Sequence, residues 1–227
     1  MAVEILPVSN RLTPPPLAKA RFIEELSLIL KPHGEWDKFT VVSHSYGSVL
    51  TTHVLMSPEL GHRVPSVVLI DPVTVMLHLP SVAFNFTRKR PKRANEWQLW
   101  FFGSSDPGVA YTLGRHFFWR ENIIWKEELL SAGGGNGTFQ RRKVAVCLGG
   151  RDLIVDAARV ARYLEEEGKP SANMAVDRVV DVDVPQVGAG EIEVMLSPNL
   201  DHADILDSKA ERKRLEDIVG QYCNIKR

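Results

Sequence analysis

Four short runs of apolar and β-branched residues alternate with amphipathic helical segments, and this alternation constrains the fold more than any other feature of the chain. Residues 66–70 and 143–148 are apolar at almost every position, which is typical of strands buried on both faces of a parallel sheet. Residues 39–42 and 191–196 are shorter or more polar strand candidates. The sequence therefore predicts an α/β fold with a mostly parallel sheet and flanking helices.

Helices are predicted before, between and after these runs, where apolar residues recur every three or four positions. They cover residues 17–30, 48–56, 155–167 and 208–223. Residues 1–16 are predicted as an N-terminal strand, Val3 to Leu6, followed by a proline-rich linker. A length of 227 residues leaves room for one domain, and we predict a single domain over residues 1–227.

Residues 76–140 interrupt the alternation, because this interval is too long for a simple crossover between strands. Nine of the chain's 18 aromatic residues lie between Trp97 and Trp125, which is too many for a polar loop. We interpret residues 76–140 as a helical cap inserted over the sheet.

The overall charge does not imply nucleic acid or an acidic membrane surface as a partner, and any such binding would have to be local. Lys and Arg together number 28, as do Asp and Glu, so no global field favours nucleic acid or an acidic membrane surface. Five basic residues in 88–93 form a local run that resembles a weak nuclear localisation signal or a rim for acidic head groups, although most such runs are solvated surface. No stretch approaches the ~18 apolar residues of a membrane span, and no signal peptide is evident, so the expected compartment is the cytoplasm.

The segment Ser43-His44-Ser45-Tyr46-Gly47 lies between a predicted strand and a predicted helix. A sharp strand-to-helix turn exposes a nucleophilic serine when the residues two positions away are small, as Ser43 and Gly47 are. Ser45 is therefore a candidate nucleophile, and its alternative is an ordinary serine in a helix-leading turn. His44 is interpreted as a packing residue of this turn, or elbow.

A nucleophilic serine needs a base and an orienting acid, which lie at the carboxyl ends of later strands in a parallel sheet. Asp152 follows the third predicted strand, and His202 is the only one of seven histidines that follows the fourth. Asp152 alternatively caps the next helix, with Asp71 as the alternative acid, and His202 alternatively lies in a solvated loop. Two cysteines without metal-ligand spacing give no indication of a metal site.

These motifs resemble the α/β-hydrolase superfamily, and especially fungal α/β-hydrolase-domain proteins of the AB hydrolase-1 type. The resemblance implies that Ser45 is the nucleophile, Asp152 the acid and His202 the base, and that the Tyr46 backbone N–H is one oxyanion donor. It covers about residues 17–223, and residues 114–119 and 125–127 are similar to the fungal cap. The segments that carry it are 42–48, 69–72, 149–152 and 201–204.

The superfamily takes its second oxyanion donor from a loop after the third strand, upstream of the nucleophile. Only 44 residues precede Ser45, so we expect the N-terminal strands of the full fold to be missing and the chain to be truncated. His33-Gly34 has the residue types of the donor loop but lies in the wrong connection. The strand at 39–42 is then expected to have an unpaired edge.

The resulting prediction is a serine hydrolase, similar to carboxylesterases and lipases, that acts through an acyl-enzyme on a small ester with an apolar portion. No cofactor, metal or nucleic acid is implied, and the oligomeric state is left open. The alternative is a truncated, catalytically impaired homologue that acts as a binding module through its open sheet edge or aromatic cap.

Overall fold

A computed structural model describes residues 1–9, 13–34, 36–132, 140–165, 186–187 and 192–223. Its main sheet has five strands in the order β1-β2-β5-β7-β6, and neighbouring strands are parallel except for β6, which is antiparallel to β7. Strands β3 and β4 form a separate antiparallel pair. The strands are β1 Thr40–His44, β2 Ser66–Ile70, β3 Ser131–Ala132, β4 Gln140–Arg141, β5 Lys143–Gly149, β6 Gln186–Val187 and β7 Glu193–Ser197.

Helices cover both faces of the sheet. The four predicted helices are observed as α1, α2, α8 and α10, with each described end within two residues of the predicted one. Residues 166 and 167 of the third predicted helix lie outside the described residues. The helices are α1 Lys19–Leu30, α2 Gly47–Leu55, α3 Ser81–Thr87, α4 Ala94–Leu99, α5 Pro107–Arg115, α6 Trp119–Asn122, α7 Lys126–Leu130, α8 Ala157–Glu165, α9 Asp204–Asp207 and α10 Lys209–Tyr222.

Strand β2 is buried at every position, which confirms the prediction from its continuous apolar sequence. Successive side chains of a strand point to opposite faces, so β2 divides its residues between two cores. Val67 and Leu69 belong to the core that includes residues of α1, α2 and α8, whereas Val68 and Ile70 pack with residues of α10. The observed architecture is the predicted mostly parallel sheet with flanking helices.

The predicted strand over Val3–Leu6 is wrong, because the structure has a 3₁₀ helix at Leu6–Val8 instead. Pro7 cannot donate a hydrogen bond to a neighbouring strand, and its ring fixes a φ angle that suits a helical turn. The Val8 backbone N–H and the Ser9 hydroxyl both donate to the Ile5 carbonyl oxygen, at 3.0 and 2.8 Å, and so close this turn.

The region between β2 and β5 is helical, as predicted, over α3 to α7; we call residues 81–130 the α3–α7 segment. A π-helical turn, Trp100–Ser104, continues α4. The segment ends in the β3–β4 pair, which the sequence analysis did not predict, and residues 133–139 of the predicted cap lie outside the described residues.

Strand β1 lies at one edge of the sheet and, among the described residues, pairs only with β2. This position agrees with the open edge expected at residues 39–42. None of the helices in the described part of the chain combines the length and apolar composition that a membrane crossing requires.

Candidate active site

The turn after β1 presents the Ser45 side chain from a strained backbone. Ser45 has a φ of 51°, in the left-handed region that a side chain seldom occupies. Its N–H donates to the Ile70 carbonyl oxygen at 2.9 Å, which fixes the turn to the end of β2. A Cβ atom on Gly47 would lie 3.3 Å from the Ser43 Cβ, so the tight turn requires small residues at both positions, as the sequence indicated.

The first turn of α2 secures the peptide groups around Ser45. The Ser48 N–H and hydroxyl both donate to the Ser45 carbonyl oxygen, at 3.0 and 2.6 Å. Within the described residues the Tyr46 N–H has no hydrogen-bond acceptor, so it is available to a ligand beside Ser45. The Tyr46 ring packs against Phe117 of the α3–α7 segment, with ring centroids 6.0 Å apart.

Ser45, His202 and Asp152 form one hydrogen-bonded chain. The His202 Nε2 atom lies 2.8 Å from the Ser45 Oγ, and its Nδ1 atom lies 2.7 Å from the Asp152 Oδ2. The structure therefore brings together three residues that are separated by up to 157 positions in the sequence. Each of them follows the carboxyl end of a parallel strand: β1, β7 and β5 respectively.

The Asp152 carboxylate is completely buried and uses both oxygen atoms. Oδ2 contacts His202, while Oδ1 accepts hydrogen bonds from the backbone N–H groups of Ile154 and Val155, at 2.7 and 2.9 Å. The side chain thus holds the turn that leads into α8 and also fixes the imidazole. Asp152 does not cap α8 itself, because the side chain at the start of this helix that accepts a backbone hydrogen bond is Asp156, from the Arg159 N–H at 3.2 Å.

Asp71, the alternative acid, is buried but does not bond to the His202 ring. Its Oδ1 accepts from the Gly149 N–H at 2.8 Å, and its Oδ2 accepts from the Ala203 N–H at 2.9 Å. Ala203 has a φ of 70°, so Asp71 stabilises a strained residue directly after His202. Burial is the main cause of a raised pKa at Asp71, and the nearby charge of Asp152 raises it further. Asp71 therefore connects the end of β5, at Gly149, to the backbone directly after His202.

Asp201 is a positioning group that the sequence analysis did not select. Its Oδ1 accepts from the backbone N–H groups of Leu153 and His202, at 3.1 and 2.7 Å, and its Oδ2 accepts from the Asn95 side chain at 2.7 Å. The only sequence signal for this role was the position of Asp201 beside His202. Its other two partners, Leu153 and Asn95, lie 48 and 106 residues away in the sequence.

Gly149 and Gly150 allow the turn after β5 and the turn after β7 to approach closely. A Cβ atom on Gly149 would lie 2.7 Å from the Asp201 carbonyl oxygen, and one on Gly150 would lie 2.7 Å from the Pro198 Cα. Real Cβ atoms are essentially never so close to backbone atoms. The close approach of these backbone segments near Asp152 and His202 therefore requires glycine at both positions.

The two histidines of the site have opposite pKa shifts. Burial lowers the pKa of His202, but the hydrogen bond and charge of Asp152 outweigh this effect, with Asp71 and Asp201 contributing, so the net pKa is raised. Burial and the neighbouring His202 lower the pKa of His44 to about 4. The centroids of the His44 and His202 rings lie 5.0 Å apart. His44 is therefore neutral near pH 7, where His202 is the group able to exchange a proton.

His44, Asp71 and His202 each place a metal-ligand atom within 4.8 Å of the others. However, both Asp71 oxygens accept backbone hydrogen bonds, and both His202 nitrogens lie in the chain between Ser45 and Asp152. A metal bound to the His202 ring would have to break its contact with Ser45 or with Asp152. Because both His202 nitrogens already have partners, we assign no metal to these residues.

A cavity of about 840 Å³ opens beside Ser45 and His202. Its volume lies within the range of small-molecule binding sites. It extends along β1 and is lined by successive residues of that strand, by the N-terminal residues and by the α3–α7 segment. Its side chains are mainly apolar and include Phe22, Leu26, Phe39, Val41, Val54, Val82, Phe86, Leu99, Val109, Leu113 and Phe117.

Similar solved structures include esterases and hydrolases, at low sequence identity. A thermophilic esterase from Thermogutta terrifontis is 14% identical, with a TM-score of 0.50 over 93% of this chain and 74% of the esterase. A meta-cleavage product hydrolase is 12% identical, with a TM-score of 0.51 over 92% of this chain and 73% of the hydrolase. A similar structure from Nitrososphaera gargenis, from work on carboxylesterases, is 14% identical, with a TM-score of 0.49 over 92% and 74% of the two chains.

The likenesses to the thermophilic esterase and to the meta-cleavage product hydrolase, with the parallel sheet, show that the chain has the α/β-hydrolase fold. No protein-family model matches the chain, and no curated protein matches its sequence. The resemblance to fungal proteins and the truncation therefore stay predictions.

Proposed function

We propose that this protein is a serine hydrolase that cleaves small esters with an apolar acyl portion. One observation supports this most directly: the hydrogen-bonded chain of Ser45, His202 and Asp152 opens into an apolar cavity of about 840 Å³. The three residue types are those that acyl transfer requires, and their contacts have the lengths expected for nucleophile, base and acid.

In the proposed reaction, the Ser45 Oγ attacks the ester carbonyl while the His202 Nε2 accepts the hydroxyl proton. The tetrahedral intermediate then collapses, the alkoxide leaves with that proton as an alcohol, and an acyl-enzyme remains on Ser45. Water, deprotonated by His202, releases the carboxylic acid and restores the serine. Asp152 holds the imidazole in the reactive tautomer and stabilises its positive charge.

We assign the Tyr46 N–H as an oxyanion donor, because it lies directly after Ser45 and is available to a ligand. Loss of one such donor costs about 10²–10³ in rate in a known case, so with a single donor we expect slow turnover. The α3–α7 segment is assigned as the cap, since Val82, Phe86 and Leu99 from it line the cavity. On this proposal the chain is a single domain with an inserted cap.

A fluorophosphonate probe tests the proposal by covalent labelling. We expect the native protein to be labelled at Ser45, as mapped by peptide mass spectrometry, and heat-denatured protein to remain unlabelled. Ser45→Ala should abolish labelling. Ser27→Ala is the matched control, because the exposed Ser27 hydroxyl donates to the Glu59 carboxylate, at 3.4 Å, rather than to a histidine. A folded wild-type protein that resists the probe would contradict the proposal.

The apolar cavity supports a further expectation about the acyl group. In a series of p-nitrophenyl esters, kcat/KM should increase from acetate to octanoate, since each methylene buried in the cavity adds about 0.8 kcal/mol at most. A negatively charged hemisuccinate should be a poor substrate, because the lining offers few polar partners. A preference for acetate or hemisuccinate would exclude the apolar acyl portion.

The edge position of β1 favours a second candidate, a binding module that pairs this strand with a partner. All five residues of β1 line the cavity, so the cavity reaches the hydrogen-bonding edge of the strand. A folded protein without probe reactivity, but with a concentration-dependent dimer in light scattering, would support this candidate over the hydrolase.

A further inference from the structure

Four large aromatic side chains are exposed on one short stretch of helix. Trp97, Trp100, Phe101 and Phe102 have 52, 42, 65 and 62% of their surfaces exposed. Contiguous exposed apolar patches are uncommon on soluble proteins and mark interaction sites. We call helix α4 with its π-helical turn, residues 94–104, together with the preceding loop 88–93, the basic-aromatic face.

The aromatic residues are arranged to contact a surface together. Trp97, Trp100 and Phe101 follow the spacing i, i+3 and i+4, which places them on one side of a helix. The Trp97 and Trp100 rings meet edge to face, with centroids 5.6 Å apart. Leu99 lies on another side and is only partly exposed, packed against the main core.

Loop 88–93 adds positive charge directly before this helix. Glu96 pairs with Lys89 at 3.1 Å, while Arg88, Arg90, Lys92 and Arg93 make no ion pair with any acidic side chain in the described parts of the chain. All four of these residues are exposed. The loop therefore displays a local positive charge although the whole chain has a formal net charge of zero.

Glu96 also holds the basic loop against the helix. Its Oε2 accepts from the backbone N–H groups of Lys92 and Arg93, at 2.7 and 3.1 Å. These hydrogen bonds, with that from Lys89, hold the pKa of Glu96 at about 2. The loop and the aromatic helix therefore form one ordered surface.

Phe102 connects this surface to the cavity. It lines the cavity together with Leu99, and it is also one of the most exposed aromatic residues of the chain. An apolar molecule that leaves the basic-aromatic face would therefore pass Phe102 on its way into an apolar space. Nucleic acid would also match basic and aromatic residues, but it has no use for an apolar cavity behind them.

We propose that the basic-aromatic face binds the surface of an anionic lipid bilayer. The basic side chains complement the negative head groups, and the aromatic rings enter the interfacial region, where Trp is favoured. Phe102, which lines the cavity, then lies at the lipid surface. This inference goes beyond the hydrolase proposal, because it requires binding and no catalysis.

Vesicle sedimentation tests the charge component. The wild-type protein should bind vesicles of equal parts phosphatidylcholine and phosphatidylserine, and binding to phosphatidylcholine alone should be much weaker. The triple variant Arg88→Gln, Arg90→Gln and Arg93→Gln should bind on the order of 100-fold less tightly, since each basic residue near such a surface contributes on the order of a fivefold increase. Added salt should weaken wild-type binding.

A matched triple variant controls for the loss of three charges. Lys31→Gln, Lys38→Gln and Lys143→Gln remove the same charge from exposed positions elsewhere in the chain. This control should bind the anionic vesicles as the wild type does. Melting curves should show that both triple variants remain folded.

Tryptophan fluorescence tests the aromatic component. Anionic vesicles should shift the emission of the wild type to shorter wavelength, and brominated lipid should quench it. The double variant Trp97→Ala and Trp100→Ala should lose both effects, whereas Trp36→Phe, which removes the partly exposed Trp36 outside the face, should keep them.

Three results would overturn the proposal. The first is a folded wild-type protein that does not sediment with anionic vesicles. The second is equal binding by the two triple variants. The third is binding to a single-stranded oligonucleotide that the arginine variant abolishes while vesicle binding stays unchanged, which would assign the basic loop to nucleic acid. None of these outcomes depends on whether the protein hydrolyses esters.

Discussion

Asp152→Asn tests the proposed role of Asp152 as the acid, because the hydrogen bonds of this side chain determine how the new amide must lie. The Asp152 Oδ1 accepts two backbone N–H groups, from Ile154 and Val155. Only the amide oxygen can replace it there, so the amide NH₂ group is placed at the Oδ2 position, facing the His202 Nδ1. Nδ1 then has to accept a hydrogen bond, and Nε2 carries the proton. In that tautomer Nε2 cannot accept the proton of Ser45.

The size of the effect follows from the cost of rotating the amide. Rotation would restore the reactive tautomer but would leave two backbone N–H groups facing NH₂, at roughly 1–3 kcal/mol each. A total of about 2–6 kcal/mol corresponds to a loss of about 30-fold to 10⁴-fold in kcat. The larger value agrees with the effect of about 10⁴ for the equivalent change in a known triad. We therefore expect a loss within this range.

The assay is kcat for a p-nitrophenyl ester across pH, with Tm as the folding control. Without Asp152, burial dominates and lowers the pKa of His202, so the residual activity should begin at lower pH than in the wild type. Asp71→Asn is the matched variant, because the Asp71 carboxylate is also buried but does not touch the His202 ring. A folded Asp152→Asn protein with a loss below about tenfold, or a larger loss in Asp71→Asn, would refute the reasoning.

Three further predictions concern ionisation, loop contact and the core. Activity should decline as pH falls through the raised pKa of His202, because the imidazole must be neutral to accept the serine proton. The midpoint of the pH–kcat profile should therefore lie above the ordinary value of about 6.5, and a midpoint below 6.5 would contradict this. Gly149→Ala should lower kcat/KM at least about tenfold, since its Cβ would lie 2.7 Å from the Asp201 carbonyl oxygen, whereas Gly114→Ala, with open space around it, should keep activity and Tm. Arg142→Met should lower Tm by roughly 6–12 °C in calorimetry, because it removes the buried side-chain donor of the Val64, Glu128 and Leu129 carbonyl groups, a loss of at least about 3 kcal/mol; an unchanged Tm would exclude this role.

The sequence predicted the parts of the fold that local patterns encode. The continuous apolar run at 66–70 became the central strand β2, because burial on both faces requires apolar side chains at every position. The small residues Ser43 and Gly47 indicated the tight turn at Ser45, and the structure shows that their Cβ positions lie only 3.3 Å apart. Where a local signal was ambiguous the prediction was wrong, as at Val3–Leu6, where Pro7 favours a helical turn.

Contacts between distant parts of the chain were decided only by the tertiary structure. The order of residues along the chain suggested Ser45, Asp152 and His202, but it could not distinguish Asp152 from Asp71, since both carboxylates follow strands of one sheet. The order of the strands places Asp152 against the His202 ring. Asp71 instead accepts hydrogen bonds from the backbone N–H groups of Gly149 and Ala203. The sequence by itself determined which residue types and turns were present. Their distances and pKa shifts depend on packing between segments far apart in the chain, which local periodicity does not encode.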